Sequence, residues 1–292
     1  MDNEKYFEWL KKARLIDDGF FILCFSDNIP CVEYILQIIL DKYDLKVESV
    51  EMQKTIENIY GRSVRLDAFA TDDNGKMYNI EVQRTDEGAV PNRARYNSAM
   101  MDYHKLKEGA KFKELPESFV IFITENDVLK GGEMIYHIDR IVKETGKNFG
   151  DGTHIIYVNG SYKDESGSLL GKLIYDFFCT NPADMKLAKL AERAAFVKGN
   201  KGWELNQMNP LFEEIFKDEL EEAHSKGKAE GKAEGKAEGK AEGKAEGKAE
   251  GVKENFLANV RELMKNLHFT AAQAMDALGV PADKQKEYAD LI

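Results

Sequence analysis

Apolar residues are grouped along the chain into segments of helical and of strand-like character. Residues 31–40 (CVEYILQIIL) form an apolar stretch of helical length. An alternating run begins at Leu45, and two longer strand-like runs cover Val64–Thr71 and Met77–Arg84. The polar segment between the last two, residues 72–76 (DDNGK), is typical of a hairpin turn. These segments predict one helix followed by three strands.

A further helix and two more strands are predicted downstream. Pro91 suits the first turn of a helix and Gly109 suits its end, so residues 92–108 are expected to be helical. The passage from Met77 to Thr124 then has the order strand, helix, strand, which usually forms a parallel crossover. The other predicted elements are strands Phe119–Thr124 and His154–Val158 and helices Leu169–Phe178 and Met185–Val197. The predicted fold class is therefore α/β, with a mixed central β-sheet flanked by helices.

The register of the predicted hairpin decides which side chains meet across it. Glu81 and Gln83 share one face of their strand, because side chains alternate along a strand. A two-residue turn would place Asp67 opposite Val82, on the wrong face. A three-residue loop that ends in a left-handed Gly75 would place Asp67 opposite Glu81. We favour the three-residue loop, since only this register brings the two acids together.

Two carboxylates on one edge of a rigid sheet are the minimal protein equipment for metal-dependent phosphodiester cleavage. The metal polarises the phosphate and lowers the pKa of the attacking water. Mg²⁺ prefers hard oxygen ligands, and one or two carboxylates commonly hold it together with waters and phosphate oxygens. Asp67 and Glu81 would supply these carboxylates.

The spacing of these residues resembles the core motif of the PD-(D/E)XK nucleases. Asp67 is followed by thirteen residues and then by the sequence Glu81-Val82-Gln83. The segments GRSVRLDAF, RARYNSAM, LPESFVIFIT and HIIYVNG resemble, in the same order, the bacterial recombination-promoting nucleases, long labelled transposases. The similarity extends from about Asp17 to about Gly202. It implies a restriction-endonuclease-like fold, with a C-terminal helical extension beyond it, and DNA endonuclease activity.

The resemblance also implies a role for each candidate residue. The two acids would hold Mg²⁺, and Gln83 would orient the attacking water or the scissile phosphate. Glu33, on the helix before the sheet, resembles the additional acid that many members of the superfamily carry. Most members have lysine where this chain has Gln83, and an amide has no positive charge. Arg93 or Arg95, at the start of the next helix, would then provide the cation and contact DNA.

Composition restricts the remaining function classes. The net charge of −11 argues against a strongly basic surface, although a local basic cleft is compatible with it. The histidine and cysteine spacings contain no HxH, HxxxH or CxxC pattern, so zinc is not expected. The charged N-terminus lacks the apolar centre of a signal peptide, and no apolar run reaches the length of a membrane span. We expect a soluble, cytoplasmic protein that does not contact membranes.

The composition changes abruptly at Gly227, where the tetrapeptide GKAE begins six repeats that end at Glu250. Each repeat is neutral, and both a solvated helical spacer and a flexible low-complexity linker fit it. Three short helical segments follow with the outline of a helix-turn-helix, for which self-association or docking is favoured over DNA recognition. We predict a nuclease-like domain at residues 1–210, a helix and spacer at 211–251, and a helical tail at 252–292.

The leading functional hypothesis is a Mg²⁺-dependent DNA endonuclease in recombination or mobile-element biology, with homo-oligomerisation through the C-terminal extension. The alternative is a catalytically degenerate nuclease fold that binds nucleic acid or a protein partner, with Gln83 marking the lost chemistry. A purely structural oligomer formed through the repeat would need neither acid. These hypotheses differ in whether Asp67 and Glu81 converge and leave room for a metal ion.

Overall fold

The computed structural model describes residues 3–199, 212–289 and 291–292. The chain divides into two compact units, Met1–Glu219 and Leu220–Ile292. The first unit contains a β-sheet with helices on it, and the second unit is helical.

A six-stranded mixed sheet organises the first unit. The strands are β1 (Val47–Ile56), β2 (Val64–Asp72), β3 (Met77–Gln83), β4 (Ser118–Thr124), β5 (Ile135–Ile138), β6 (Ile141–Val142), β7 (Lys147–Asn148) and β8 (Thr153–Asn159). Their order in the sheet is β1-β2-β3-β4-β8-β5, and β6 pairs with β7 in a separate ribbon. β1, β2 and β3 are antiparallel, β3, β4 and β8 are parallel, and β5 is antiparallel to β8. The predicted α/β class and mixed sheet are confirmed.

Six described helices accompany the sheet in the first unit. They are α1 (Asn3–Lys12), α2 (Asp18–Phe25), α3 (Ile29–Leu40), α4 (Pro91–Lys105), α5 (Leu169–Phe178) and α6 (Ala188–Lys198). α4 connects β3 to the parallel strand β4, as the crossover rule predicted. Asn28 caps α3 by accepting a hydrogen bond from the Cys31 backbone, so this helix begins before the apolar stretch.

The sequence analysis did not predict several helices and strands of the structure. α1 and α2 precede the first predicted helix, and β5, β6 and β7 lie between two predicted strands. α2 (DGFFILCF) has only eight residues and is apolar on every side, so it shows no helical periodicity. β6 and β7 have two residues each, which is too short for a strand pattern. These elements become recognisable only when their neighbours in the fold are known.

In the described part of the chain, no single helix is long and apolar enough to cross a membrane. Only α2 and α3 taken together meet the length and composition test, and they are bent by 115° at the break between them.

The two central strands β3 and β4 are buried on both faces. Every residue of β4 (SFVIFIT) is buried, and β3 is buried from Met77 to Val82. On the α4 side, Phe122 stacks on Tyr157 with ring centroids 5.2 Å apart, within a cluster that includes Met101 of α4. Polar side chains on this face of β3 are therefore held between the sheet and α4.

The second unit is built from helices. It contains the greater part of α7 (Phe212–Leu267), with α8 (Ala271–Ala277) and α9 (Ala282–Ala289). The entire GKAE repeat lies within α7, so the structure agrees with a helical spacer and not with a flexible linker. After the repeat, Val260, Ala274 and Met275 form a small buried core, and the rings of Phe256 and Tyr288 lie 4.9 Å apart.

Candidate active site

The β2–β3 hairpin adopts the three-residue loop. Asp72 donates its backbone N–H to the carbonyl of Lys76 at 3.1 Å, which leaves residues 73–75 as the loop. Gly75 has a φ of +77°, the left-handed conformation that glycine accepts without steric cost. The ladder pairs Ala68 with Ile80. One step further along the same register, Asp67 lies opposite Glu81, and the predicted register is confirmed.

Each of the two carboxylates accepts a hydrogen bond from the backbone of the neighbouring strand. The backbone N–H of Val82 donates to Asp67 Oδ2 at 3.0 Å, and the backbone N–H of Asp67 donates to Glu81 Oε1 at 3.4 Å. Asp67 is 7% exposed and Glu81 is fully buried. Backbone groups of two hydrogen-bonded strands therefore fix both acids, which gives them the rigidity that a metal or catalytic site needs.

Side chains of α4 complete a polar network around Glu81. Arg93 donates to Glu81 Oε2 at 2.6 Å and to the carbonyl of Gly88 at 3.0 Å. Asn79 donates to Glu81 Oε1 at 2.9 Å, and Asn97 donates to Asn79 Oδ1 at 3.2 Å. Asn79 and Asn97 were not predicted as site residues. Their signal was their position, since Asn79 is two residues from Glu81 and Asn97 is one helical turn from Arg93.

The negative charge of the two acids is only partly compensated. Burial raises the pKa of Asp67 well above its ordinary value, and the charges of Glu81 and Asp18 raise it further. Burial also raises the pKa of Glu81, although the positive charge of Arg93 and the hydrogen bond from Asn79 oppose this. Buried acids that repel one another and share one arginine form a site that a cation would stabilise.

Asp18 is a third acid near this pair, and it was not predicted. It is the first residue of α2 and lines the same cleft as Asp67. The preceding Asp17 accepts from the Arg14 backbone at 2.8 Å and lies 3.4 Å from Arg84, just beyond β3. An acid in the first turn of a helix is common for dipole reasons alone, so the sequence did not distinguish this Asp.

An open cleft of about 870 Å³ gives access to the site. The described residues that line it include Asp67 and Gln83 and also four arginines, Arg62, Arg65, Arg93 and Arg95. Three acids, Asp18, Asp67 and Glu87, line it as well, so the cleft has one more arginine than acids in a chain whose net charge is −11. Phosphate groups prefer such a surface, because arginine binds phosphate oxygens in a bidentate manner.

Comparison with known families matches residues 27–165 to the PD-(D/E)XK nuclease family transposases. The matched segment is just under half of the chain, and it shows the family resemblance that the motif spacing predicted. The match supports a nuclease- or transposase-like function, and PD-(D/E)XK nucleases generally use divalent metal ions. No curated protein and no solved structure matched the chain. Asp18 lies before the matched segment.

The structure places Glu33 away from the candidate site, where the sequence analysis had expected an additional acid. Its carboxylate accepts the backbone N–H of Val47 at 3.0 Å and contacts Lys46 at 3.2 Å. It therefore fixes the start of β1 on α3 and is not among the residues that line the cleft. The acid that approaches the site from a helix before the sheet is Asp18, because α2 reaches this end of the sheet.

Gln83 is two residues beyond Glu81, at the end of β3, and lies beside Gly88. A Cβ added to Gly88 would lie 1.9 Å from Gln83 Oε1, so the glycine makes room for the amide. Arg93 binds the carbonyl of the same glycine and also Glu81. A guanidinium from α4 and the Gln83 amide thus adjoin the same glycine. Arg95 lies on the same cleft with its side chain exposed.

The donor set fits Mg²⁺ better than a softer metal. The site offers carboxylate and amide oxygens and no thiolate or imidazole. Among the described residues, no group of three Asp, Glu, His or Cys side chains is placed to enclose a metal ion. Two carboxylates suffice for Mg²⁺, which keeps several waters and binds substrate phosphate oxygens.

Proposed function

We propose that this protein is a Mg²⁺-dependent DNA endonuclease. The observation that carries the proposal is the pair of buried acids Asp67 and Glu81 on neighbouring strands, of which Asp67 lines a cleft that also contains four arginines. The two acids suit a divalent cation, and the arginines of the cleft suit a phosphate backbone. A recombination or mobile-element role fits the transposase description of the matched family.

The proposed roles follow from the positions of the side chains. Asp67 and Glu81 would hold Mg²⁺, which when bound polarises the phosphate and acidifies a water molecule. Gln83 would orient the attacking water or a phosphate oxygen through its amide. Arg93 would leave Glu81 and pair with the phosphate, and Arg95 would bind the adjoining backbone. Asp18 would orient water on the exposed side of the site.

A plasmid-nicking assay with and without Mg²⁺ tests the proposal. The wild type should nick DNA only when Mg²⁺ is present. Asp67→Asn should lose on the order of 100-fold or more in rate, because it removes a charge and preserves the shape of the side chain. Asp139→Asn is the matched control, since Asp139 is exposed and contacts His154. Equal loss in both variants would contradict the assignment.

A degenerate, non-cleaving nuclease fold is the second candidate. The observation in its favour is the 2.6 Å contact between Arg93 and Glu81, which occupies an oxygen that a metal ion would use. On this hypothesis the protein binds DNA without cleaving it. Nicking should then be absent with Mg²⁺ and with Mn²⁺, while Arg95→Ala still weakens DNA binding.

The domain division is also a proposal. We expect a chain truncated after Asn209 to fold and to keep the cleavage rate of the full chain, since the candidate site lies entirely before that residue. Its oligomeric state and DNA affinity can still change, because a linked tail adds avidity without touching the site. Thermal unfolding, nicking and light scattering on both chains test this. An unfolded truncated chain would contradict the predicted boundary.

A further inference from the structure

The loop between β1 and β2 exposes two large apolar side chains next to each other. Tyr60 is 96% exposed and Ile59 is 81% exposed. Tyr60 is more exposed than any other large hydrophobic side chain whose burial is described. Single exposed apolar residues are ordinary, but two adjacent ones at a loop tip form an apolar patch of the kind that often binds a partner.

The tip is a defined turn. The backbone N–H of Gly61 donates to the carbonyl of Asn58 at 3.2 Å, which closes a four-residue turn with Ile59 and Tyr60 at its corners. Asn58 donates its N–H to Ser63 Oγ at 3.1 Å and accepts the N–H of Tyr60 at 3.1 Å. Turn corners usually carry Gly, Pro, Asn, Asp or Ser. Here a fixed backbone presents two apolar side chains to solvent instead.

The turn is attached to the rim of the candidate active-site cleft. The side chain of Asn58 donates to the hydroxyl of Tyr96 at 3.3 Å, and this hydroxyl donates to the carbonyl of Arg62 at 2.5 Å. Arg62 and Tyr96 both line the cleft. Tyr60 precedes Arg62 by two residues, a span of at most about 7 Å. A DNA strand that contacts Arg62 would therefore lie near this tip.

The charge of the cleft indicates the kind of partner. Four arginines and three acids line the cleft, and the arginine next to the tip, Arg62, is one that a phosphate chain would contact. Aromatic side chains stack on bases of any sequence. Apolar side chains also insert between unstacked base steps. A stable protein partner would cover a far larger apolar area than two side chains offer. The observations favour a nucleobase.

We propose that Tyr60 stacks on an unpaired base of a DNA strand held in the cleft, and that Ile59 packs against the same unstacked step. This inference rests on the proposed function for its choice of DNA. It names the substrate class as DNA that contains unpaired bases beside the cleavage point, such as single strands, gaps or frayed ends. A duplex whose bases remain stacked would offer the arginines a backbone but offer Tyr60 no base.

Binding of fluorescent oligonucleotides to the full-length chain in EDTA tests the inference. The probes are a single strand of about 20 nucleotides and the duplex of the same sequence. Tyr60→Ala should weaken single-strand binding about tenfold and duplex binding much less, since one base stack contributes roughly 5- to 100-fold in affinity. Tyr60→Trp should keep single-strand binding close to that of the wild type, because tryptophan also stacks on bases. Phe112→Ala is the control, because Phe112 is 82% exposed and does not line the cleft.

Salt dependence gives a second readout. Affinity should fall with salt through the arginines, and Tyr60→Ala should lower the affinity without changing the slope of log K against log salt. Arg95→Ala should change the slope. A stacking contact and a phosphate contact are distinguished in this way.

Several results would overturn the inference: no wild-type binding, unchanged binding by Tyr60→Ala, equal weakening on both probes, or an effect confined to the oligomeric mass measured by light scattering. Because EDTA prevents metal-dependent cleavage, the outcome is independent of the proposed function. Tyr60-dependent binding without any cleavage in Mg²⁺ would refute the nuclease and keep the base contact. Cleavage in Mg²⁺ together with an unchanged DNA affinity of Tyr60→Ala would keep the nuclease and refute the base contact.

Discussion

Two clusters of charged side chains involve the β3–β4 region and differ in almost every electrostatic respect. The acid cluster consists of Asp67, Glu81 and Arg93, and it lies between the sheet and α4. The edge cluster consists of Glu117, His154, Asp139 and Lys76, and it lies near the first residues of β3, β4 and β8. The first is buried around its two acids and the second is partly exposed.

In the edge cluster each acid forms an ion pair or hydrogen bond and is partly exposed to solvent. His154 contacts Asp139 at 2.8 Å and Glu117 at 3.0 Å, and Lys76 contacts the other oxygen of Glu117. Partial burial tends to raise the pKa of Glu117, but the hydrogen bonds and charges of Lys76 and His154 outweigh it and lower the pKa. The ring of His154 also stacks on Phe119. These contacts support the fold.

The acid cluster has the opposite balance, with two buried acids and one arginine. A cluster that stabilises the fold lowers the pKa of its acids, whereas this one raises both. Perturbation of this kind, in a cleft, is a common property of functional sites. The comparison teaches that incomplete compensation of buried charge, rather than the number of charged residues, marks the candidate site.

The strongest test of the comparison is the same substitution in both clusters. Glu81→Gln should lower the rate of Mg²⁺-dependent nicking on the order of 1,000-fold, because it removes one of two metal-binding charges. Glu117→Gln should stay within about twofold of wild type, since exposed ion pairs contribute little. Initial nicking rates at saturating Mg²⁺ provide the measurement. Similar losses in both variants would erase the distinction.

Substitutions of Gln83 test the role of its amide next to the acid cluster. Gln83→Ala should reduce the rate about 100-fold if the amide positions water or phosphate. Gln83→Lys should retain or raise the rate, because it restores the charge that most PD-(D/E)XK members have there. The ratio of the two rates on one plasmid substrate measures the effect. An inactive Gln83→Lys beside an active wild type would show that the site works differently from its relatives.

Gly88→Ala should have a smaller effect on the same amide. The added Cβ would displace the Gln83 side chain, and we expect a loss of roughly tenfold from misplacement alone. The φ of Gly88 is not in the left-handed region, so alanine is otherwise tolerated. A double-mutant cycle supplies the control. In a Gln83→Ala background the glycine substitution should cause no further loss, and additive losses would contradict the positioning role.

Stability should respond to pH in opposite directions at the two clusters. The raised pKa of Asp67 means that the folded state binds more protons than the unfolded state between the ordinary pKa and the raised one. Its contribution is therefore lost as pH rises through that window. The lowered pKa of Glu117 contributes stability above its ordinary pKa, and this is lost as pH falls through the lowered value.

Asp67→Asn should consequently raise the free energy of unfolding at pH 7 by about 0.5–2 kcal/mol, as substitutions that relieve active-site strain do. Glu117→Gln should leave it unchanged or lower it by less than about 1 kcal/mol. Urea unfolding at pH 5 and pH 7 measures both. Millimolar Mg²⁺ should stabilise the wild type and not Asp67→Asn, because only the wild type has the proposed pair of metal-binding carboxylates. A lower free energy of unfolding for Asp67→Asn would mean that the charge of Asp67 is compensated in the wild type.

The sequence alone determined the fold class, the hairpin and the partnership of Asp67 with Glu81. These depend on local rules, namely strand alternation, the left-handed glycine and the length of the loop, and each is written in a few adjacent residues. The motif spacing indicated the nuclease family for the same reason.

Only the tertiary structure decided which distant side chains reach the site. Glu33 and Asp18 are both acids on helices before the sheet, and no local pattern distinguishes them. The packing of α2 brings Asp18 into the cleft, whereas Glu33 is bound to the start of β1. Likewise, α4 must lie across β3 before Arg93 can reach Glu81. Electrostatic balance depends on distances through space, and those arise from packing between segments far apart in the chain.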